Sequence, residues 1–233
     1  MPFGRASIFL GEGENVQDEQ QDILYRAAEV WKELTAYRYI FTYGYKEKLH
    51  HINLTFSPED FPHLAGFQYL KDLTLPRYSP RKTVDMILAG KITDDQVKKG
   101  QQYSERVKPR LRALVRLKER LDQEFELFSY RPMFYSFFTK IKADYLISSN
   151  IEPSAFVFII KGASNSTVSE FLCCSAFEKG DRDYCTNQRP YALLRKARVH
   201  IETGNTEVLY NRLIEKKSSP DESAETKDEI GII

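Results

Sequence analysis

The segment SAFVFIIK (154–161) carries apolar side chains at both parities of an extended chain. As a strand it is apolar on both faces and belongs at the centre of a sheet. Other strand-like runs surround it. FYSFFTKIKADYLI (134–147) precedes it and TVSEFLCC (167–174) follows, and YALLRKARVHIE (191–202) comes after the polar loop EKGDRDYCTNQRP (178–190). Upstream, RYIFTYGY (38–45) and LHHINLTF (49–56) flank a turn at Lys46, Glu47 and Lys48. In the second of these, Ile52, Leu54 and Phe56 share one face and His51, Asn53 and Thr55 the other.

Helical periodicity occupies the gaps. From Asp18 onward, Ile23, Ala27, Val30, Trp31 and Leu34 recur at three- and four-residue steps. SPEDFPHLAGFQYL (57–70) reads as a helix with Ser57 as N-cap, Pro58 at the first position and Glu59 and Asp60 suited to the helix dipole. A helical block follows over about 79–128. Gly90 divides a short helix (80–89) from a long one capped at Thr93, and Pro109 kinks or splits the latter. Beyond it Leu111, Leu114, Leu117, Leu121, Phe125 and Phe128 form an apolar stripe. A short helix is expected from Thr206. The expectation is an α+β fold, with one domain over 18–215 that carries the block 79–128 as a helical insertion. Residues 1–17 are expected to be flexible, and the Ser- and acid-rich 216–233 a disordered acidic tail.

The net charge of +1 is unevenly placed. Residues 1–22 hold one arginine against five acids and residues 216–233 three lysines against five acids, so the body between is basic. That suits a polyanionic partner without requiring one. The 14 Tyr and 15 Phe against one Trp fit either a sheet core or a surface on which bases stack. Three cysteines, Cys173, Cys174 and Cys185, contain no C-x-x-C pair, which argues against a disulfide framework or zinc site and for the cytoplasm. No signal peptide and no membrane span is expected, because no apolar run approaches the length required.

Candidate chemistry clusters in four places. His63 lies near a helix start, where the dipole favours a neutral base, although a histidine there also serves simple packing. Strand alternation puts Lys140, Lys142 and Asp144 on one face, able to bind a phosphate or to be merely solvated. Asp181, Arg182, Asp183, Tyr184, Gln188 and Arg189 crowd a polar loop. On the last strand Lys196, Arg198 and His200 share a face, either a phosphate-facing stripe or the cations of a guarded edge strand. Arg106, Arg110, Arg116 and Arg120 flank the stripe of the long helix and read as a solvated, salt-bridged face. Phosphate-binding loops, dinucleotide fingerprints and metalloprotease or hydrolase motifs are absent, as is a carboxylate cluster at metal-ligand spacing. No cofactor or metal is expected. Phosphodiester cleavage by side chains alone needs a base, cationic donors and an acid, and is confined to RNA because the 2′-hydroxyl attacks.

INLTF (52–56), FPHLAGFQYL (61–70), KIKADYLI (140–147) and DYCTNQRPYALLRK (183–196), in this order and with helices between, resemble the fourth family of phage-associated barnase/EndoU/colicin/RelE-like nucleases. The resemblance implies an antiparallel sheet packed against helices and a toxin- or effector-type RNase of a phage or mobile element. It carries His63, Lys142, Asp144, Asp183, Tyr184 and Gln188 as motif positions; His200 and Arg198 come from strand alternation. The resulting expectation is a metal-independent endoribonuclease. His63 or His200 is its acid–base, Lys142 with Arg189 or Arg198 stabilises phosphate, and Asp183 orients. Lys140, Tyr184, Gln188 and Lys196 are expected to help hold substrate. Partners would be RNA, such as tRNA or ribosome-bound mRNA, and an antitoxin or immunity protein. The alternatives are a non-catalytic RNA-binding module or a protein-interaction factor of a mobile element.

Overall fold

The computed structural model describes residues 22–76, 78–163 and 169–213; the segments expected to be flexible (1–17) and disordered (216–233) lie outside the described residues. Helix α1 (Ile23–Leu34) begins where the Asp22 carboxylate accepts from the Tyr25 N–H at 2.8 Å, and it buries Leu24, Ala27, Ala28, Trp31 and Leu34. Strands β1 (Tyr37–Tyr45) and β2 (Lys48–Thr55) follow as a hairpin. Its two turn residues, Lys46 and Glu47, take φ of 49° and 62°, the left-handed pair that a tight hairpin turn requires.

The remaining helices are short: α2 (Phe61–Leu64), α3 (Pro80–Leu88), α4 (Asp94–Val97), α5 (Lys108–Val115) and α6 (Leu117–Asp122). The stretch expected as one helix over 57–70 is instead a chain of single turns, interrupted by Gly66 at φ 88°. The Thr93–Gln96 capping box forms as expected and starts α4. The long helix does not persist. A π-turn (Tyr103–Val107) precedes Pro109, which opens α5, and helix ends at Asp122, short of the expected Phe128. The stripe continues past that point because Glu126–Ser129 is strand β3, so Leu127 and Phe128 are buried by a sheet.

Strands β4 (Tyr145–Ser149), β5 (Ala155–Lys161), β6 (Glu170–Glu178), β7 (Arg189–His200) and β8 (Thr206–Asn211) complete the fold. The last of these corrects the helix expected from Thr206: it pairs with β7 from Val199–Thr206 to Arg195–Asn211. The order β1-β2-β6-β5-β4-β3-β7 closes through a β1–β7 pairing, giving a seven-stranded barrel with β8 added on β7. The expected α+β class holds, but the sheet is closed, and β2 pairs with β6 in parallel. β7 is therefore no edge strand: β1 lies along one side and β3 and β8 share the other.

Residues 134–144, expected as the first part of a strand, form no ladder. Exposure still alternates along them, so the sequence signal was real for an extended chain but not for pairing.

β5 carries the two-sided burial that its sequence requires. Ala155, Val157 and Ile159 join the main core with Phe41, Ile52, Leu54, Trp31, Leu111 and Leu114. Phe156 and Phe158 face a second cluster with Phe128, Tyr130, Leu146 and Tyr184. The helices supply part of the main core and pack on the sheet. The segment 131–144 and the loop before β7 contribute to the second cluster. Among the described residues no helix is long and apolar enough to cross a membrane.

Candidate nucleic-acid interface at the hairpin end of the barrel

In β1 the parity that buries Tyr39 and Phe41 continues through Tyr43 to Tyr45. Register sets Tyr43 opposite His50 on β2 and Leu193 on β7. The His50 ring stacks on Tyr43 at 5.2 Å with 16° between planes, and Tyr191 closes on Tyr43 at 4.5 Å. From β4, Tyr145 places its hydroxyl 2.8 Å from that of Tyr43, while its ring meets Phe171 at 5.4 Å. Tyr45 lies 5.6 Å from Tyr191 and 6.0 Å from His50. The Arg189 guanidinium sits 5.2 Å over the Tyr45 ring and donates to its hydroxyl. The cluster thus grades from buried Tyr43, through half-buried Tyr45, His50, Tyr145 and Tyr191, to exposed Arg189.

The chemistry of this rim follows from its contacts. Burial, then the hydroxyl pairing, raises Tyr43 well above the usual tyrosine value, and burial raises Tyr145 as well. Both stay protonated at neutral pH, and one hydroxyl donates to the other. Among the described residues Arg189 has no carboxylate within ion-pair distance, and the His50 ring has no hydrogen-bond partner. Lys46 adds a second cation 5.5 Å over Tyr45. An arginine with free N–H groups beside half-buried aromatic rings suits a phosphate with a base next to it.

Two of the quoted sequence segments meet here. KIKADYLI brings Tyr145, with Asp144 just outside it, and DYCTNQRPYALLRK brings Arg189 and Tyr191. Asp144 accepts the Lys161 N–H at 2.7 Å and closes the β4–β5 ladder at this end. Lys140 and Lys142 are exposed on the unpaired 131–144 segment, so the sheet face expected to hold them with Asp144 does not exist.

Other expected site residues are occupied elsewhere. Asp183 accepts from the Cys185 N–H at 2.7 Å and from Thr186 through both its N–H and hydroxyl; these bonds hold its carboxyl below the usual aspartate value. Tyr184 is 6% exposed and is the aromatic hub of the second core. Gln188 clamps the Arg131 backbone, accepting its N–H at 2.6 Å and donating to its carbonyl at 3.1 Å. Lys196 is 2% exposed and donates to the carbonyls of Leu121, Asp122 and Gln123 at the end of α6. Arg198 is held by Asp122 and Glu207. The shared face of Lys196, Arg198 and His200 is thus not a substrate stripe. His200 accepts the Thr203 N–H and packs on Tyr37, at the other end of β1 from Tyr45. His63 is exposed on α2, whose Phe61 and Leu64 do the packing.

The helical arginines are more varied than a salt-bridged face. Arg116 pairs bidentately with Glu119, but Arg110 covers the rings of Tyr69 and Phe177, and Arg120 is fully buried.

Sequence reading missed His50, Tyr43, Tyr45 and Tyr191. The available signal was the tyrosine at alternate positions of TYGY, together with the general aromatic excess. Among the described residues no three His, Cys, Asp or Glu side chains converge as a metal-ligand set. Neither the curated proteins nor the solved structures include a significant match to this chain. Over residues 23–213 the chain matches the family model described as phage-Barnase-EndoU-ColicinE5/D-RelE like nuclease4, and it belongs to that family of nucleases.

Proposed function

We propose that the protein is an endoribonuclease that works through side chains at the hairpin end of the barrel. The observation that carries this reading is Arg189, exposed and without a carboxylate partner among the described residues, set against Tyr45 beside His50 and Tyr191. In this reading the His50 imidazole takes the proton from the ribose 2′-hydroxyl as its oxygen bonds to phosphorus. Arg189 offsets the extra negative charge on the five-coordinate phosphorus. The Tyr45 hydroxyl returns a proton to the departing 5′ oxygen, and solvent restores both groups. The products are a 2′,3′-cyclic phosphate and a 5′-hydroxyl. Tyr43 and Tyr145 form the floor that fixes these groups, and Tyr191 offers a face for stacking. Asp144, just outside the cluster, contributes long-range charge. The toxin or effector setting and an immunity partner are part of the same proposal and rest on the sequence resemblance.

The test is incubation of the purified chain with total RNA and tRNA in excess EDTA, reading both fragment ends, alongside Arg189→Ala and His50→Ala. Cyclic phosphate ends that vanish in both variants support the reading. Cleavage unchanged in both variants removes the site assignment. Cleavage that requires a divalent cation removes the side-chain mechanism. RNA binding without cleavage in any ionic condition turns the same surface into a binding module.

A further inference from the structure

Over the second core lies a cleft of about 260 Å³ between residues 134–137 and the loop 181–187. Its wall is aromatic and firmly held. Tyr135 and Phe137 stack in parallel at 4.8 Å with 6° between planes, and Phe137 packs edge-on against buried Tyr184 at 5.2 Å. Phe134 keeps 49% of its surface exposed at the opening. The polar groups divide into two sets. Asp183 and Thr186 are bonded to each other and to their own loop. Asp181, Arg182 and Asn187 remain exposed at the cleft, and Asp181 has no ion-pair partner among the described residues. Arg182 is positioned, with its guanidinium 5.2 Å over the Phe137 ring and one N–H directed at the Phe138 carbonyl at 3.5 Å, leaving other N–H groups for a ligand.

We propose that this cleft is a base-reading subsite that selects guanine in an RNA strand. It rests on the nuclease reading for its choice of RNA. Phe134, exposed at the opening, offers an aromatic face to a planar ring. A carboxylate beside a guanidinium matches guanine better than the other bases. Guanine alone has two adjacent N–H donors, at N1 and N2, for the two oxygens of one carboxylate, and its O6 and N7 accept from arginine. Adenine and cytosine offer a single amino group and uracil a single N–H. The Asp181 charge also disfavours a phosphate in the cleft, which separates this site from Arg189. Position adds a second argument. Asn187, in a left-handed conformation at φ 62°, lines the cleft two residues before Arg189. Two residues of chain span roughly 7 Å at most, so the Asn187 edge of the cleft lies close to the Arg189 backbone, and an RNA strand with a phosphate on Arg189 can extend towards it.

The experiment has two readouts on the full chain. The first is titration with guanosine, adenosine, cytidine and uridine 5′-monophosphates, followed by amide chemical shifts. Guanosine monophosphate binds at least about tenfold more tightly than the others, and Asp181→Asn and Arg182→Ala each abolish the preference while leaving the spectrum otherwise folded. The second is cleavage of oligoribonucleotides containing one guanine at varied positions, where cuts follow the guanine and lose that register in Asp181→Asn. Equal binding of the four nucleotides, or a preference indifferent to Asp181→Asn, overturns the subsite. Cleavage without base register, unchanged in Asp181→Asn, also overturns it and leaves the nuclease reading standing. A guanine preference that depends on Asp181 in a protein that cuts no RNA upholds the subsite and removes the nuclease reading.

Discussion

The hydroxyls of Tyr43 and Tyr145 lie 2.8 Å apart although 102 residues separate them in the chain. One comes from the first hairpin and the other from β4, and their bond crosses the barrel under the cluster that ends at Arg189. It is also a test of the closed sheet, because only barrel closure brings these strands face to face.

Removing one hydroxyl leaves the other as a partly buried polar group without its partner. Tyr43→Phe and Tyr145→Phe should each lower stability by about 1–3 kcal/mol. The double variant should cost clearly less than the sum, since it leaves no orphan. Urea unfolding of the four proteins measures the coupling. Additive losses would show that the two hydroxyls do not meet.

Arg189 is exposed and holds no carboxylate among the described residues, so its loss should be functional and not structural. Arg189→Ala should leave the free energy of unfolding within about 0.5 kcal/mol of the parent and lower RNA cleavage by about a hundredfold or more. Arg189→Lys should recover little, because a lysine cannot reproduce the planar fork. Asp183→Ala is the contrasting case: its carboxylate organises the 183–186 loop, so stability should fall together with any activity.

Lys196 gives a pH signature. Burial pulls its ammonium from the usual 10.5 down to about 8, against the opposing pull of Asp122 and Glu124. Between these values the unfolded chain holds a proton on Lys196 that the folded chain lacks, so this lysine contributes stability that grows with pH from about 8 upward. Cys173, Cys174 and Cys185 and the buried tyrosines act in the opposite sense, because burial raises their pKa values in the folded chain. The lysine's share is therefore the difference between the parent and Lys196→Met, which should move in the parent's favour as pH rises from about 8 to 10 in urea unfolding. A difference that stays constant over that window would remove the buried ammonium as its source.

Arg120 is fully buried, donates to the Pro153 carbonyl, and has Nε and Nη1 without an acceptor among the described residues. Burial and neighbouring Arg116 hold its pKa down to about 10. A charge so poorly compensated contributes little to stability. Arg120→Met should be neutral or stabilising by up to about 3 kcal/mol. A large loss in urea unfolding would mean that ordered water or a further partner satisfies those two nitrogens.

Much of the architecture is written locally. Periodicity places α1, the alternation in LHHINLTF places Ile52 and Leu54 inward, and Thr93 with Gln96 caps α4. The two-sided apolar run of β5 requires two covered faces, and it has them. Errors arose where one local pattern fits two structures. The leucine stripe from Leu111 runs on into Leu127 and Phe128 although the backbone changes from helix to strand. The alternation over 134–144 reflects an extended chain lying on the second core, with no ladder partner.

The site was less legible for a related reason. His50 and His51 are adjacent and chemically identical in the sequence, yet the β1–β2 register turns His50 onto Tyr43, while His51 meets the Thr42 hydroxyl at 3.0 Å on the other parity. Lys196, Gln188 and Tyr184 looked like a substrate surface because they are polar or aromatic in a loop and strand. Burial shows each to be spent on the fold.

The sequence by itself determined the α+β class, the central strand, the caps and the family, because those depend on contacts within a few residues or on motif order. Only the tertiary structure decided which polar groups remain free. Barrel closure and strand register bring Tyr43, Tyr145, Tyr191 and Arg189 together, while the α6 carbonyls claim Lys196 and the Asp122 and Glu207 carboxylates claim Arg198.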